Sequence, residues 1–206
     1  MTVPKLDLVK ERRDLYRPSV KEPVLVDVPE MSFLMIDGQG DPNNTAPEYA
    51  HALNALYAVA YGVKFTVKRS GEVDFKVMPL EGLWWSDRMS DFTQGRREGW
   101  RWTMMIAQPP VVTAGLVGEA IGESSRKKDL PALDGLVFQR FDEGFCAQIM
   151  HVGPYSAEGP TIERLHDFIA EQGYSLGGKH HEIYLGDPRR AAPERLKTVI
   201  RQPVAP

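Results

Sequence analysis

Residues 179–185 (KHHEIYL), followed by a Gly-Asp-Pro turn at 186–188, restrict the fold of this chain more than any other stretch. Side chains alternate across a strand, so Glu182 and Tyr184 project to one face and the residues between them project to the other, largely apolar face. A carboxylate buried without a partner costs several kcal/mol, on the order of a whole domain's stability. The chain must therefore build a sheet around this strand, and Glu182 needs either a partner or a function.

The order strand, helix, strand, strand occurs twice in the chain. Apolar residues with a period of two predict strands, and apolar residues at helical spacing predict helices. In the first half we predict strands at 24–28 and 32–36, a helix from 48 to 62, and strands at 63–67 and 73–80. In the second half we predict a strand at 145–152, a helix from 160 to 172, and strands at 180–185 and 197–204.

The ends of the two helices have recognisable signals. Thr45 and Glu48 match a capping box, and Gly62 and Gly173 are typical of helix ends. Two halves that each expose a strand edge are more stable together than apart. We therefore predict an α+β fold of one pseudo-symmetric domain, with an N-terminal arm at 1–22, repeat one at about 23–85, an inserted aromatic segment at about 86–135 and repeat two at about 136–206.

The inserted segment has no counterpart in the second half. We predict a strand at 100–106, a helix at 110–128 and a strand at 136–141. All four tryptophans of the chain fall within residues 84–102. Their large flat rings suit a planar ligand, with Trp84 and Trp102 favoured, and Met104 and Met105 would make such a pocket adaptable. The alternative is that these side chains simply fill the core where the two halves join.

Composition excludes several classes of protein. The chain has 206 residues and a formal net charge of −3, which argues against a general nucleic-acid-binding protein. The single cysteine, Cys146, excludes an intrachain disulfide and lies in an apolar strand typical of a small core residue. Neither a signal peptide nor a run of about 20 apolar residues is present, so we expect a cytoplasmic protein that is not inserted in a membrane.

Glu182 is the strongest candidate for chemistry. In an aromatic pocket a carboxylate can pair with a cationic ligand or act as a general base on water. Tyr184 on the same face can orient the carboxylate or a substrate oxygen. Glu81 is a weaker second acid, for which a structural ion pair is equally consistent with the sequence. The alternative for Glu182 itself is a surface position opposite a Lys or Arg.

The adjacent histidines His180 and His181 suggest a metal site at first sight. Neighbouring strand residues face opposite sides of a sheet and do not readily share one ion. We therefore expect no metal, and nothing in the sequence implies another cofactor.

Three segments together resemble the GyrI-like small-molecule-binding family, in particular its stand-alone branch. They are residues 79–85 (PLEGLWW), residues 151–155 with 158–162 (HVGPY and EGPTI), and residues 181–190 (HEIYLGDPRR) followed by Pro193 and Glu194. The resemblance implies a duplicated βαββ repeat (the SHV2 fold) related by a pseudo-two-fold axis. It also implies a concave antiparallel sheet, helices on the opposite face and a pocket between the halves.

The resemblance also implies functions. Relatives fused to helix-turn-helix domains sense lipophilic cations through a central glutamate, others bind DNA gyrase, and stand-alone members include hydrolases of cyclopropane-bearing genotoxins that alkylate DNA. The family's catalytic positions correspond to Glu182 and Tyr184. Its ligand-binding positions correspond to Trp84, Trp85, Trp102, Tyr155, Glu81 and Met105.

Two functions remain open at this point. The first is a cyclopropanoid cyclopropyl hydrolase in which Glu182 activates water. The second is a non-catalytic module that binds, sequesters or senses lipophilic cations, a multidrug-binding role. A protein interface formed by the aromatic segment is a third reading. The chain shows no basic recognition helix, so we do not expect a DNA-binding regulator.

Overall fold

The computed structural model describes residues 3–42, 47–86 and 99–206, and it confirms the predicted α+β class. The chain divides into two compact units. Unit 1 contains Met1–Leu8, Met31–Met78 and Trp85–Phe141, and unit 2 contains Val9–Glu30, Pro79–Trp84 and Asp142–Pro206.

Strands and helices alternate along the described chain. The strands are β1 (Lys5–Leu6), β2 (Val24–Val28), β3 (Met31–Gln39), β4 (Asp74–Phe75), β5 (Leu80–Ser86), β6 (Trp100–Gln108), β7 (Val137–Phe141), β8 (Gly144–Val152), β9 (Ser175–Leu176), β10 (His180–Tyr184) and β11 (Lys197–Ala205). The helices are α1 (Leu8–Glu11), α2 (Arg13–Tyr16), α3 (Glu48–Ser70), α4 (Ala114–Lys127) and α5 (Gly159–Glu171).

In unit 1, β3 is the central strand. It pairs antiparallel with β6 on one side and with β7 on the other. The register places Gly38 of β3 opposite Trp102 of β6. Helix α4 covers most of the predicted range 110–128, and Thr113 caps its N-terminus by accepting a hydrogen bond from the backbone N–H of Leu116.

Helix α3 is longer than the sequence indicated, and the predicted strand at 63–67 is wrong. The helix continues through Gly62 and ends at Gly71, whose φ of 82° lies in the left-handed region that favours glycine. Val63 and Val67 are fully buried and extend the apolar stripe of the helix by one more turn. Packing of this stripe outweighs the strand preference of β-branched residues.

Gly62 has a packing role. A Cβ atom added at Gly62 would lie 3.2 Å from the Cβ of Ala120 on α4, so the small residue permits close approach of the two helices. The predicted capping box lies partly outside the described residues, because Thr45 is not among them. The predicted strand at 73–80 is observed as short β4 and the start of β5, on either side of Pro79.

In unit 2, five strands form an antiparallel sheet in the order β5–β10–β11–β8–β2, and β9 pairs with the end of β11. The strands β2, β8, β10 and β11 and the helix α5 lie where the sequence predicted them. Helix α5 packs on one face of this sheet, through a buried cluster of Ala147, Ile149, Leu165, Ile169 and Ile200.

The N-terminal segment of unit 2 is tied to this sheet by buried contacts. Leu15 and Tyr16 are buried. The Arg201 guanidinium donates to the backbone oxygen of Leu15 over 2.8 Å, and the Gln148 amide donates to the backbone oxygen of Asp14 over 2.6 Å. Arg201 and Ile200 are adjacent on β11 and therefore project to opposite faces. The N-terminal segment consequently contacts the face that α5 leaves uncovered.

None of the described helices combines the length and the apolar character required to cross a membrane. Cys146 is buried in β8, as predicted for a core residue.

Candidate functional site

Strand β10 places Glu182 on the same face of the sheet as α5. Its side chains alternate between partly buried positions, His180, Glu182 and Tyr184, and fully buried ones, His181 and Ile183. This pattern agrees with the period of two read from the sequence. On one side Glu182 pairs with Gly82 of β5, and on the other with Ile200 of β11. Gly82 places no side chain beside the carboxylate.

Both oxygens of Glu182 have hydrogen-bond partners. The His180 ring nitrogen Nε2 lies 3.2 Å from Oε1, and the Tyr184 hydroxyl donates to Oε2 over 2.7 Å. The indole N–H of Trp84 in turn donates to the Tyr184 oxygen over 2.9 Å. The side chains of His180 and Glu182 are 18% and 17% exposed, so they are largely covered but still reached by solvent. A chain of hydrogen bonds thus runs from Trp84 through Tyr184 to a reachable carboxylate.

These contacts decide the charge of Glu182. Burial raises the pKa of a carboxyl, but here the hydrogen bonds from His180 and Tyr184 and the nearby imidazole charge outweigh it, and the net pKa is lowered. Glu182 is therefore ionised at neutral pH. An ionised carboxylate with limited exposure can accept a proton or pair with a cation.

Tyr155 extends the aromatic surroundings of Tyr184. It begins a short 3-10 turn after β8, and its ring lies edge-on to that of Tyr184 with centroids 5.5 Å apart. Tyr155 is 39% exposed, so solvent reaches this aromatic side of the site. The structure therefore brings together four of the predicted site residues: Glu182, Tyr184, Trp84 and Tyr155.

Glu158 is a second carboxyl of this site that the sequence analysis missed. It directly precedes α5, is 5% exposed, and interacts with Glu182. Burial raises its pKa, and the negative charge of Glu182 raises it further, whereas the nearby Thr198 hydroxyl lowers it. The result is a pKa of about 8. At neutral pH Glu158 is therefore a neutral acid beside an ionised one.

The sequence contained weak signals for Glu158 and for His180, the two site residues that were not predicted. Glu158 lies within a segment of the family resemblance, but only the fold shows that the start of α5 comes near β10. His180 lies two residues before Glu182, so the period of a strand already placed it on the same face. The sequence pattern by itself indicates only a possible metal ligand paired with His181.

Glu81 lies on the opposite face of the sheet, away from Glu182. It is fully buried, accepts a hydrogen bond from the Tyr16 hydroxyl over 3.0 Å, and its Oε2 lies 3.1 Å from Nε2 of His181. His181 and Arg201 both contact Glu143, at 2.8 Å and 3.0 Å. Glu81 is thus part of a buried ionic network and is not brought together with Glu182.

The other predicted ligand-binding residues, Trp85, Trp102 and Met105, belong to unit 1. Trp102 is 2% exposed and Met105 is fully buried. The Trp102 ring lies edge-on to Tyr49, with centroids 5.4 Å apart, and covers Gly38. Their role in ligand binding stays a prediction.

The described part of the chain contains no group of three or more His, Cys, Asp or Glu side chains placed to hold a metal ion.

Comparison with solved structures reveals closely similar proteins from Listeria innocua. An uncharacterized conserved protein is 41% identical, with a TM-score of 0.89, over 97% of this chain and 100% of that chain. A hydrolase from the same organism is 40% identical, with a TM-score of 0.84, over 97% of this chain and 100% of that chain. The C-terminal domain of EcmrR is 12% identical, with a TM-score of 0.56, over 89% of this chain and 97% of that chain, and shows the fold alone.

None of the curated proteins compared with this chain matches it. The family described as GyrI-like small molecule binding domain matches residues 21–205. These residues include β10 with Glu182 and the start of α5 with Glu158. On this match and on the Listeria structures, the chain belongs to the GyrI-like small-molecule-binding family.

Proposed function

We propose that this protein hydrolyses flat, lipophilic, cyclopropane-bearing compounds that alkylate DNA, with Glu182 as the general base, and so protects the cell from them. Membership of a small-molecule-binding family supports the proposal. A relative that is 40% identical over almost the whole chain and is described as a hydrolase supports it further. The substrate class comes from the sequence resemblance to the stand-alone branch.

The arrangement around Glu182 is the observation that carries the proposal. Two donors hold the carboxylate, with the Tyr184 hydroxyl at 2.7 Å and the His180 ring at 3.2 Å. The residue is ionised, lies beside Gly82 of β5, and its side chain remains 17% exposed, so water can reach it. A fixed, ionised and partly desolvated carboxylate is what general-base catalysis on water requires.

The reaction balances without any further reagent. A water oxygen forms a bond to the methylene carbon of the cyclopropane while Glu182 takes its proton, and one ring C–C bond breaks. The electron pair of that bond moves through the conjugated system to the carbonyl oxygen, which gains negative charge. This oxygen then takes up the proton held by Glu182, which restores the base. The Tyr184 hydroxyl already donates its hydrogen bond to Glu182. We therefore assign Tyr155 as the phenol that hydrogen-bonds the carbonyl oxygen.

Binding requires a flat surface for the ligand. We assign Trp84, whose indole is joined to the site by its hydrogen bond to Tyr184, as the main stacking residue. Trp85, Trp102 and Met105 stay predicted contacts. Glu81 is not assigned a role in binding, because it lies on the other face of the sheet within the ionic network.

The test is the variant Glu182→Gln, which keeps the shape of the side chain but removes the base. We expect ligand binding to remain, measured by quenching of tryptophan fluorescence, and product formation to fall by about 10²- to 10⁴-fold, measured by mass spectrometry. Glu163→Gln is the matched control, because Glu163 is an exposed residue of α5. Turnover by Glu182→Gln at the parent rate would overturn the assignment.

A second candidate function is a binding module for lipophilic cations. The observation that favours it is the ionised Glu182 carboxylate, whose hydrogen-bond partner Tyr184 contacts both the Trp84 indole and the Tyr155 ring. Aromatic faces and negative charge both attract cations. Incubation with a planar cationic dye and with a cyclopropane-bearing alkylator separates the two functions. Tight dye binding with no consumption of the alkylator supports the binding module.

A further inference from the structure

Among the described residues, no contact of the Glu158 side chain accounts for its burial. It occupies the N-cap position of α5, yet its side chain makes no capping hydrogen bond. Its Oε1 atom is buried and has no hydrogen-bond partner among the described residues. The Thr198 hydroxyl lies close enough to the carboxyl to lower its pKa. Buried polar atoms normally have partners, and those without one often belong to functional sites. The Glu158 Oε1 atom therefore indicates a position that a bound molecule would contact.

The charge of this position differs from that of Glu182. Glu182 has two donors and stays ionised, whereas Glu158 is buried next to that negative charge and keeps its proton at neutral pH. The charged group that acts on Glu158 is Glu182 on β10, and His180 and Tyr184 contact Glu182 itself. Two neighbouring carboxyls with opposite protonation states are the usual arrangement of a general acid and a general base.

We propose that Glu158 is the proton donor of this site and that it enables the protein to open epoxides carried by flat aromatic molecules. This inference rests on the proposed role of Glu182 as the base. Water would form a bond to one epoxide carbon while Glu182 takes its proton. The C–O bond to that carbon breaks, and the departing oxygen receives the proton of Glu158, which yields a vicinal diol. Transfer of the proton from Glu182 back to Glu158 restores the site.

Epoxides need this donor more than cyclopropanes do, because of the leaving group. Opening a cyclopropane conjugated to a dienone produces a phenolate, whose conjugate acid has a pKa of about 10. Opening an epoxide without a proton donor produces an alkoxide. An alkoxide is about as basic as hydroxide, whose conjugate acid, bulk water, has a pKa of about 15.7. Loss of the proton donor should therefore harm epoxide hydrolysis far more than cyclopropane hydrolysis.

The experiment compares two substrates across variants of the full chain. Trans-stilbene oxide is the epoxide probe, and its diol is measured by mass spectrometry in ¹⁸O-labelled water. We expect Glu158→Gln to lower epoxide turnover by about 100-fold or more and cyclopropane turnover by at most about tenfold. Glu182→Gln should lower both, and the exposed control Glu163→Gln should lower neither.

The outcomes distinguish this inference from the proposed function. If the parent protein produces no diol above the uncatalysed rate, or if Glu158→Gln affects both substrates equally, the inference is wrong. Diol formation without cyclopropane hydrolysis would overturn the proposed substrate and keep the inference. Cyclopropane hydrolysis without diol formation would keep the proposed function and overturn the inference about epoxides.

A pH profile tests the role of Glu158 in a second way, independent of how well Glu158→Gln folds. Epoxide turnover by the parent protein should fall as the pH rises above about 8, where Glu158 loses its proton. The Thr198 hydroxyl lowers the pKa of Glu158, so Thr198→Val should move this alkaline limb to higher pH. A limb that does not move in Thr198→Val contradicts a proton donated by Glu158.

Discussion

At the scale of single residues, the site is defined by a competition between two carboxyls. Burial disfavours the charged form of both Glu158 and Glu182. Glu182 keeps its charge because His180 and Tyr184 hydrogen-bond to it, and that charge then acts against ionisation of Glu158. The pair therefore carries one negative charge and one proton at neutral pH, which is the basis of the acid and base roles proposed above.

Tyr184→Phe tests how Glu182 is kept ionised. The variant removes a donor to a charged oxygen, a contact typically worth about 1.5–3 kcal/mol, so the pKa of Glu182 should rise by about one unit or more. The acid limb of kcat/KM against pH should shift upward by the same amount, and carbon NMR of the carboxyl provides a reading without substrate. Tyr174→Phe is the control, because Tyr174 packs on Phe145 in the same unit. An unchanged acid limb would contradict this role.

At the scale of elements, strand β10 separates two different networks. Its even-numbered residues face the site, and His181 between them joins the buried ionic network of Glu81, Glu143 and Arg201. Arg201 extends that network to the N-terminal segment through the backbone of Leu15. Side chains locked on one face hold the strand in place, which keeps Glu182 in a fixed position on the other face.

Gly38→Ala tests the close packing of β3 on β6 in unit 1. A Cβ atom at Gly38 would lie 2.1 Å from the Trp102 ring, which is too close without movement of a buried indole. We expect a loss of about 1–3 kcal/mol in the free energy of unfolding, measured by urea denaturation.

Gly118→Ala is the matched control for that substitution. A Cβ atom at Gly118 on α4 meets nothing within 4 Å, so the control should gain about 0.5–1 kcal/mol from better helix propensity. Equal stability of the two variants would show that Trp102 does not occupy the space above Gly38.

At the scale of the whole molecule, buried ionisable groups couple stability to pH. Burial lowers the pKa of His181, but contacts with Glu143 and Glu81 outweigh it and raise that pKa to about 9. Glu143 shows the opposite balance, because burial raises its pKa while His181 and Arg201 lower it to about 2. The folded protein therefore holds protons on His181 and Glu158 that the unfolded chain would release at the same pH.

Stability should consequently fall as the pH rises. A group with a raised pKa stabilises the fold fully below its unfolded value, and this contribution is lost as the pH rises through the folded value. The contribution of Glu158 is lost between pH 4.5 and about 8, and that of His181 is lost between pH 6.5 and about 9. Between pH 8 and 9 His181 accounts for most of the remaining decline, with a smaller part from the last titration of Glu158, and the loss should be on the order of 1 kcal/mol.

Urea denaturation across pH 5–9 checks this prediction, with reactivity of the buried thiol of Cys146 as a second reading of unfolding. Glu158→Gln should flatten the curve between pH 5 and 6.5 and keep most of the decline between pH 8 and 9, which comes from His181. A flat parent curve between pH 8 and 9 would mean that His181 is not charged in the folded protein. On the acid side, stability provided by Glu143 should be present above 4.5 and lost as the pH falls towards about 2.

Local sequence patterns determined much of this protein. The alternation in residues 180–184 correctly separated Glu182 and Tyr184 from His181, the apolar stripe of α5 was readable, and the three motif segments pointed to the family that the full comparison shows. Each of these features depends on residues within a few positions of one another, where the backbone period dictates which side chains share a face.

Only the tertiary structure decided the rest. The approach of Glu158 to Glu182, the place of Glu81 on the opposite face and the continuation of α3 through Gly62 all depend on contacts between residues distant in the chain. The protonation of each carboxyl depends in turn on burial and on neighbouring charges, which exist only once the chain has folded. The sequence by itself therefore determined which side chains of β10 share the site face. The tertiary structure decided that Glu182 lies near Glu158 and that His181 lies against Glu81 and Glu143.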